Sequence, residues 1–210
     1  MQNITLICTR HKETGACNSI ELLKIIERYQ PEVIFEELRP TRYDAYYTPD
    51  CWGMTEKSLE TDAIKQYLQY HDVKHIPALS TEMKEDFRSM RSRIANRSLN
   101  ALIDNFNLLH SIHGFRFLNS DEWGQKLDEL KLLEKSFLKD DEYFLKAYQC
   151  VDEYERNMLD NIYNYSAENK FLKALMFIGA AHRNSIIKKI QEYQTKNPLK
   201  VNWLFYNGIQ

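Results

Sequence analysis

Three short segments of this chain end on residue types that can bind a metal ion or move a proton. Residues 8–11 read Cys8-Thr9-Arg10-His11, residues 35–37 read Phe35-Glu36-Glu37, and residues 179–182 read Gly179-Ala180-Ala181-His182. Each follows an apolar run of strand length. Two imidazoles and a carboxylate make a three-ligand set for a divalent ion, with positions left for water and substrate. His11, Glu37 and His182 are therefore the expected metal ligands, the metal being manganese, cobalt or zinc. Such an ion would lower the pKa of bound water and polarise a substrate carbonyl. Successive strand residues face opposite ways, so of Glu36 and Glu37 only one is expected to enter the site. Glu36 is the candidate partner behind a ligand histidine.

A further candidate lies at 155–157. Between 141 and 165, Phe144, Tyr148, Val151, Glu155, Met158 and Ile162 fall on one helical stripe. Glu155 is a carboxylate on an otherwise apolar face, which requires a partner or a function. Arg156 and Asn157 flank it and are expected to reach the pocket, where they would hold a carboxylate or an oxyanion. The alternative is that Glu155 and Arg156 simply pair with other charges.

Elements that could carry these residues follow from periodicity. Residues 4–9 are a buried strand, Asn18 and Glu21 resemble a capping box, and apolar positions from Ile20 to Tyr29 follow helical spacing until Pro31. Residues 33–37 form a second strand, so the start of the chain is a βαβ unit with parallel strands. Residues 38–57 are expected to be a long loop, 58–70 a helix and 73–78 a third strand. The pattern from 81 to 113 predicts one long helix or two abutting ones, with further helices over 120–138 and 141–165. Strands at 175–178 and 201–206 then enclose a helix over 184–196. The expected fold class is α/β: a single domain over 1–210, with a mainly parallel or mixed sheet built from both chain ends and a helical cap, 81–166, inserted in the middle. In such sheets ligands bind beyond the carboxyl ends of the strands, where the three segments would meet.

Those segments, in that order, resemble the TraB/PrgY–Tiki superfamily, with its ChaN-like and erythromycin-esterase relatives. Residues 33–43, Val-Ile-Phe-Glu-Glu-Leu-Arg-Pro-Thr-Arg-Tyr, look like that family's strand ending in Glu-Leu with a following arginine, which puts the family glutamate on Glu37 and the arginine on Arg42. Glu155-Arg156-Asn157-Met158 looks like its Glu-Arg-Asp/Asn motif, and residues 177–182 like its second Gly-x-x-His. Cys8 stands where the first Gly-x-x-His would begin, and Pro77-Ala78-Leu79 where an acidic residue is expected. The resemblance implies metal-dependent peptidase activity for one branch and ester hydrolysis or haem-linked iron binding for others.

Composition narrows the field. A net charge of −2 and a pI near 6.3 give no reason to expect nucleic acid or an anionic membrane as partner. No apolar stretch approaches bilayer length, and residues 1–4 lead straight into a strand without a signal-like segment. Four cysteines without CxxC spacing read as reduced thiols of a cytoplasmic protein. His110 and His113 share a helix face but more readily serve its end. His71 and His75 read as structural. Lys84, Arg88, Arg91, Arg93 and Arg97 form a solvated basic face. Tyr43, Tyr46, Tyr47 and Trp52 could cover a substrate or the sheet edge. The expected function is metal-dependent hydrolysis of a peptide or small molecule. The alternatives are metal-free hydrolysis with a histidine as general base, or a non-catalytic binding protein.

Overall fold

The computed structural model describes residues 1–47, 58–80, 97–138 and 142–208. Five strands form one sheet: β1 (Asn3–Thr9), β2 (Val33–Glu36), β3 (Lys74–Pro77), β4 (Lys173–Gly179) and β5 (Asn202–Phe205). Their order is β3-β2-β4-β1-β5, and every pairing is parallel. The last apolar run of the chain lies beside the first, and the one before it fills the centre. β4, flanked by β1 and β2, is buried along nearly its whole length, as a strand covered on both faces must be.

Local chemistry explains the first helices. α1 (Ser19–Tyr29) begins where the Asn18 side chain accepts from Glu21 N–H at 2.9 Å. It buries Leu22, Ile25 and Ile26 on one face and ends at Gln30, whose left-handed φ of 47° turns the chain before Pro31. α3 (Leu59–Leu68) is capped in the same way by Ser58, which accepts from Thr61 N–H at 3.0 Å. Between them, residues expected to be a loop form α2 (Pro40–Tyr47). Pro40 stands at its first position, where a fixed φ favours a helix and a missing N–H costs nothing. The rest of that expected loop, with Trp52, lies outside the described residues.

Among the described residues three helices separate β3 from β4: α4 (Arg97–Leu118), α5 (Asp121–Leu138) and α6 (Glu142–Glu168). They are the helical insertion expected over 81–166, although 81–96, with most of the basic face, lies outside the described residues. Gly114 breaks α4 with φ 62° and ψ −150°. A short 3₁₀ turn, Ala180–His182, then leads into α7 (Arg183–Lys196). Right-handed crossovers place α1 and α3, which run outward from β1 to β2 to β3, on one face. α7, which runs the other way from β4 to β5, lies on the opposite face. The packing agrees, since α1 meets α3 while α7 meets α5 and α6. The direction of winding therefore reverses between β1 and β4, the position where such sheets open a crevice. No helix among the described residues is long and apolar enough to cross a membrane.

The insertion is tied to the strand ends at several points. β5 pairs with β1 only as far as Leu6, and past it the Asn119 side chain takes over the open edge, accepting from Cys8 N–H at 2.8 Å and donating to Cys8 O at 2.9 Å. Ala16 N–H donates to Ser111 O at 2.7 Å, which holds the loop after β1 against α4. Gly15 makes that approach possible. Its φ is +54°, and a Cβ there would stand 2.2 Å from Ser111 O. Gly15→Ala is expected to cost about 2 kcal/mol or more in stability from backbone strain and overlap together. Urea denaturation measures it, and an unchanged midpoint would show that this contact does not hold the loop.

Candidate active site

The winding reversal puts the segments after β1 and β4 side by side, since Thr9 is paired with Gly179 in register. His11, Glu37 and His182 all line one cavity of about 510 Å³ at this edge. Each is held differently.

His182 is aimed by the turn that carries it. The Trp123 indole N–H donates to Ala180 O at 2.9 Å and anchors this turn to α5. Asn184 donates to Gly124 O at 2.8 Å and Arg183 to Asn119 O at 3.1 Å, fastening the start of α7 to the same corner. His182 Nδ1 lies 2.7 Å from Glu155 Oε1. An ionised carboxylate only accepts, so Nδ1 carries the proton. Nε2 faces Glu37 Oε1 at 3.7 Å, and the Tyr154 ring stacks on the imidazole at 5.7 Å between centroids.

Glu155 is fully buried in α6. Its second oxygen accepts from Ser185 Oγ at 2.6 Å and from Lys189 Nζ at 2.8 Å. Burial opposes its ionisation, but His182, Lys189 and Ser185 outweigh burial and hold its pKa below the ordinary carboxylate value. Burial likewise works against a charged His182, yet Glu37 and Glu155 prevail and raise its pKa above 6.5. Lys189 also meets Asp152 Oδ1 at 2.7 Å, and Asp152 in turn accepts from Arg156 Nε at 2.9 Å.

Glu37 directs both oxygens at fixed donors. Oε2 accepts from Gly179 N–H at 2.6 Å, and Oε1 accepts from Tyr154 Oη at 2.7 Å. A Cβ on residue 179 would stand 3.3 Å from Glu37 Oε2, so glycine leaves that carboxylate room. Tyr154 itself is kept protonated, its pKa raised by burial and by Glu37.

The other expected site residues have other partners. His11, half-exposed, has Nδ1 3.5 Å from Glu60 Oε1. Glu60 is a buried carboxylate of α3 that also accepts from Thr9 Oγ1 at 2.6 Å. Glu36 accepts from His75 at 2.9 Å and from Tyr47 at 2.7 Å, so the histidine it backs is His75 of β3. Arg156 is not brought to the cavity. It stands on the solvent flank of α6 between Asp152 and Glu192. Neighbouring helix positions are about 100° apart, so a helix that turns Glu155 inward turns Arg156 to its side. Asn157 binds Ser80, whose N–H it accepts at 3.0 Å, and so steadies the chain after β3. Among the described residues no three His, Cys, Asp or Glu side chains are gathered as a set able to hold a metal ion.

Tyr154, Ser185, Lys189, Arg10 and Glu60 were not singled out as site residues from the sequence. Lys189 alone left a signal: it is a cation between Ile186 and Ile190 on the buried stripe of α7. Cys8, by contrast, is inert, because burial pushes its thiol up to about 12. Comparison of the chain with protein-family models, with curated proteins and with solved structures found no match. The resemblance to the TraB/PrgY–Tiki group thus rests on the short motifs alone.

Removing the Glu155 charge tests the site's electrostatics. In Glu155→Gln the His182 pKa should fall, read from its ring-proton NMR titration. Glu155→Ala should cost about 3 kcal/mol or more, because Lys189 and His182 lose a buried partner. In the wild type a raised folded pKa means that the His182 contribution to stability is complete below the unfolded value of about 6.5. It is lost as pH rises through the folded value. A His182 titration indifferent to Glu155→Gln would contradict this assignment.

Proposed function

We propose that this protein is a hydrolase of carboxylic esters or amides in which His182 is the general base. The observation that carries the reading is the buried Glu155–His182 pair, whose free Nε2 faces a cavity beside a second carboxylate. Neutral His182, with its proton on Nδ1 toward Glu155, accepts a proton from water at Nε2 as the water oxygen adds to the acyl carbon. Glu37, 3.7 Å from that nitrogen, helps orient the water. The proton on Nε2 then passes to the departing oxygen or nitrogen as its bond to the acyl carbon breaks. Tyr154 stays protonated and gives its O–H to Glu37 Oε1, which holds that carboxylate in place beside His182. The apolar recess next to His182, lined by Leu127, Leu130, Tyr148 and Val151, is suited to a small-molecule or peptide side chain. Unpaired thiols at Cys8, Cys17 and Cys150 support a reducing, cytoplasmic setting.

A second reading keeps the divalent metal. It is favoured by the carboxylate behind His182, since a metal-bound histidine commonly donates its other ring N–H to such a group. The residues as arranged do not fit it: both Glu37 oxygens are engaged and His11 is turned to Glu60.

Hydrolysis of p-nitrophenyl esters and of a fluorogenic peptide panel tests the first reading. His182→Ala should lower kcat by about 10²–10⁴-fold, while His113→Ala, on the exposed side of α4, leaves it unchanged. Because imidazolium cannot accept a proton, kcat should fall as pH drops through the raised His182 value. Full activity in His182→Ala would overturn the proposal. Stoichiometric metal in the purified protein, lost in both His11→Ala and His182→Ala, would instead favour the metal reading.

A further inference from the structure

The cavity carries both signs of charge. Glu37 and His182, the latter backed by Glu155, line it together with Arg10 and Lys12, where the chain leaves β1. Among the described residues neither Arg10 nor Lys12 stands within ion-pair distance of a carboxylate, although Glu60 acts on Arg10 at longer range. For Lys12, which is exposed, that is ordinary. For Arg10 it is not, because its guanidinium is partly buried and its Nε is wholly buried with no hydrogen-bond partner. Buried arginines are almost always paired.

The hydrogen-bond partner Arg10 does have brings no charge. Arg10 Nη1 lies against the His110 imidazole, nearest to Nε2 and 3.0 Å from Nδ1, and His110 Nε2 also lies 3.1 Å from Asn107 Oδ1. Burial and the neighbouring guanidinium push the His110 pKa down to about 4, so the imidazole is neutral. Glu60, the acid that acts on Arg10, directs Oε1 to Thr9 and His11, and among the described residues its buried Oε2 has no hydrogen-bond partner. Beside Arg10 the wall is apolar, formed by Ile103, Phe106, Trp123, Leu127 and Leu130.

We infer that this cavity takes an anionic substrate, a carboxylate joined to an apolar body, with the carboxylate on Arg10 and Lys12 and the body along Phe106, Trp123 and Leu127. The substrate's anion would be the charge that Arg10 lacks in the protein. A guanidinium suits this task because its planar fork meets both carboxylate oxygens. This names the substrate class of the site proposed above and rests on that reading only for the fate of the bound molecule.

Calorimetric titration of the intact protein with 4-phenylbutyrate and with the neutral alcohol of the same apolar body, 4-phenylbutan-1-ol, tests the inference. The acid should bind at least about tenfold more tightly than the alcohol at low ionic strength, as a charge-assisted pair with a partly desolvated arginine requires. Its affinity should fall as salt is added, while that of the alcohol holds. Arg10→Met should erase the preference and Lys12→Met reduce it. Lys188→Met, on the exposed flank of α7, should leave it intact. If Arg10→Met does not fold, Arg10→Lys should keep a smaller preference, and the salt series on the wild type decides. Equal affinity for acid and alcohol, binding of neither, acid binding that ignores salt, or a preference that survives Arg10→Met or vanishes in Lys188→Met would overturn the inference. Because neither probe carries an ester or amide bond, such a failure leaves the His182 reading standing. Loss of hydrolysis with binding intact does the reverse.

Discussion

One buried carboxylate organises this molecule. Glu155 has no exposed surface and sits among Met158, Leu159 and Ile162, where an unpaired charge would cost several kcal/mol. Its three donors, His182, Ser185 and Lys189, all come from the turn after β4 and the first half of α7. The inserted helix α6 and the β4–α7 junction are therefore locked together by a demand for charge compensation more specific than apolar packing. The same demand consumes His182 Nδ1 and leaves only Nε2 to act in the cavity. It also gives Arg156 its place, because the charges continue outward from Glu155 to Lys189 to Asp152 to Arg156. A residue that looked like a catalytic cation is the solvent-facing end of a chain of charges that begins at His182.

Sheet topology supplies the rest. The reversal of winding between β1 and β4 opens the edge at which their terminal residues stand side by side. The insertion closes over that edge through two side chains that act on backbone, Asn119 on Cys8 and Trp123 on Ala180, and through a backbone pair, Ala16 N–H to Ser111 O. Each contact is short-range and directional, so the cavity's walls come from distant parts of the chain yet keep a fixed geometry. The cavity carries both signs of charge because the β1 exit contributes Arg10 and Lys12 while the segment after β2 contributes Glu37.

Much of the architecture was legible locally. Residues 4–9, 33–37 and 175–178 are apolar runs that only buried strands explain, and the Asn18 and Ser58 caps mark where helices start. The strand order was not legible, because β1 pairs with a strand about 170 residues further along and no local signal encodes that partner. Residues 40–47 read as a loop because their aromatic and polar mix has no strong helical periodicity, and a proline that starts a helix looks the same as one that ends it. At the site, the apolar stripe of α6 correctly marked Glu155 as anomalous. The choice between Glu155 and its neighbours turned on helix rotation, which depends on Lys189 and Ser185 some thirty residues away. His11, Glu37 and His182 do line one cavity, but their side-chain partners, Glu60, Tyr154 and Gly179, are tertiary neighbours that sequence spacing does not reveal.

The central claim is that Glu155 fixes the His182 ring so that Nε2 is the nitrogen able to take a proton. Nitrogen-15 NMR of the imidazole side chains across the titration tests it most directly, because the two ring nitrogens have distinct shifts and the tautomer is read without any substrate. The account predicts that neutral His182 carries its proton on Nδ1, that Nε2 is the nitrogen losing the proton as pH rises, and that this occurs above the ordinary histidine value. A neutral His182 protonated at Nε2, or one titrating below that value, would contradict it.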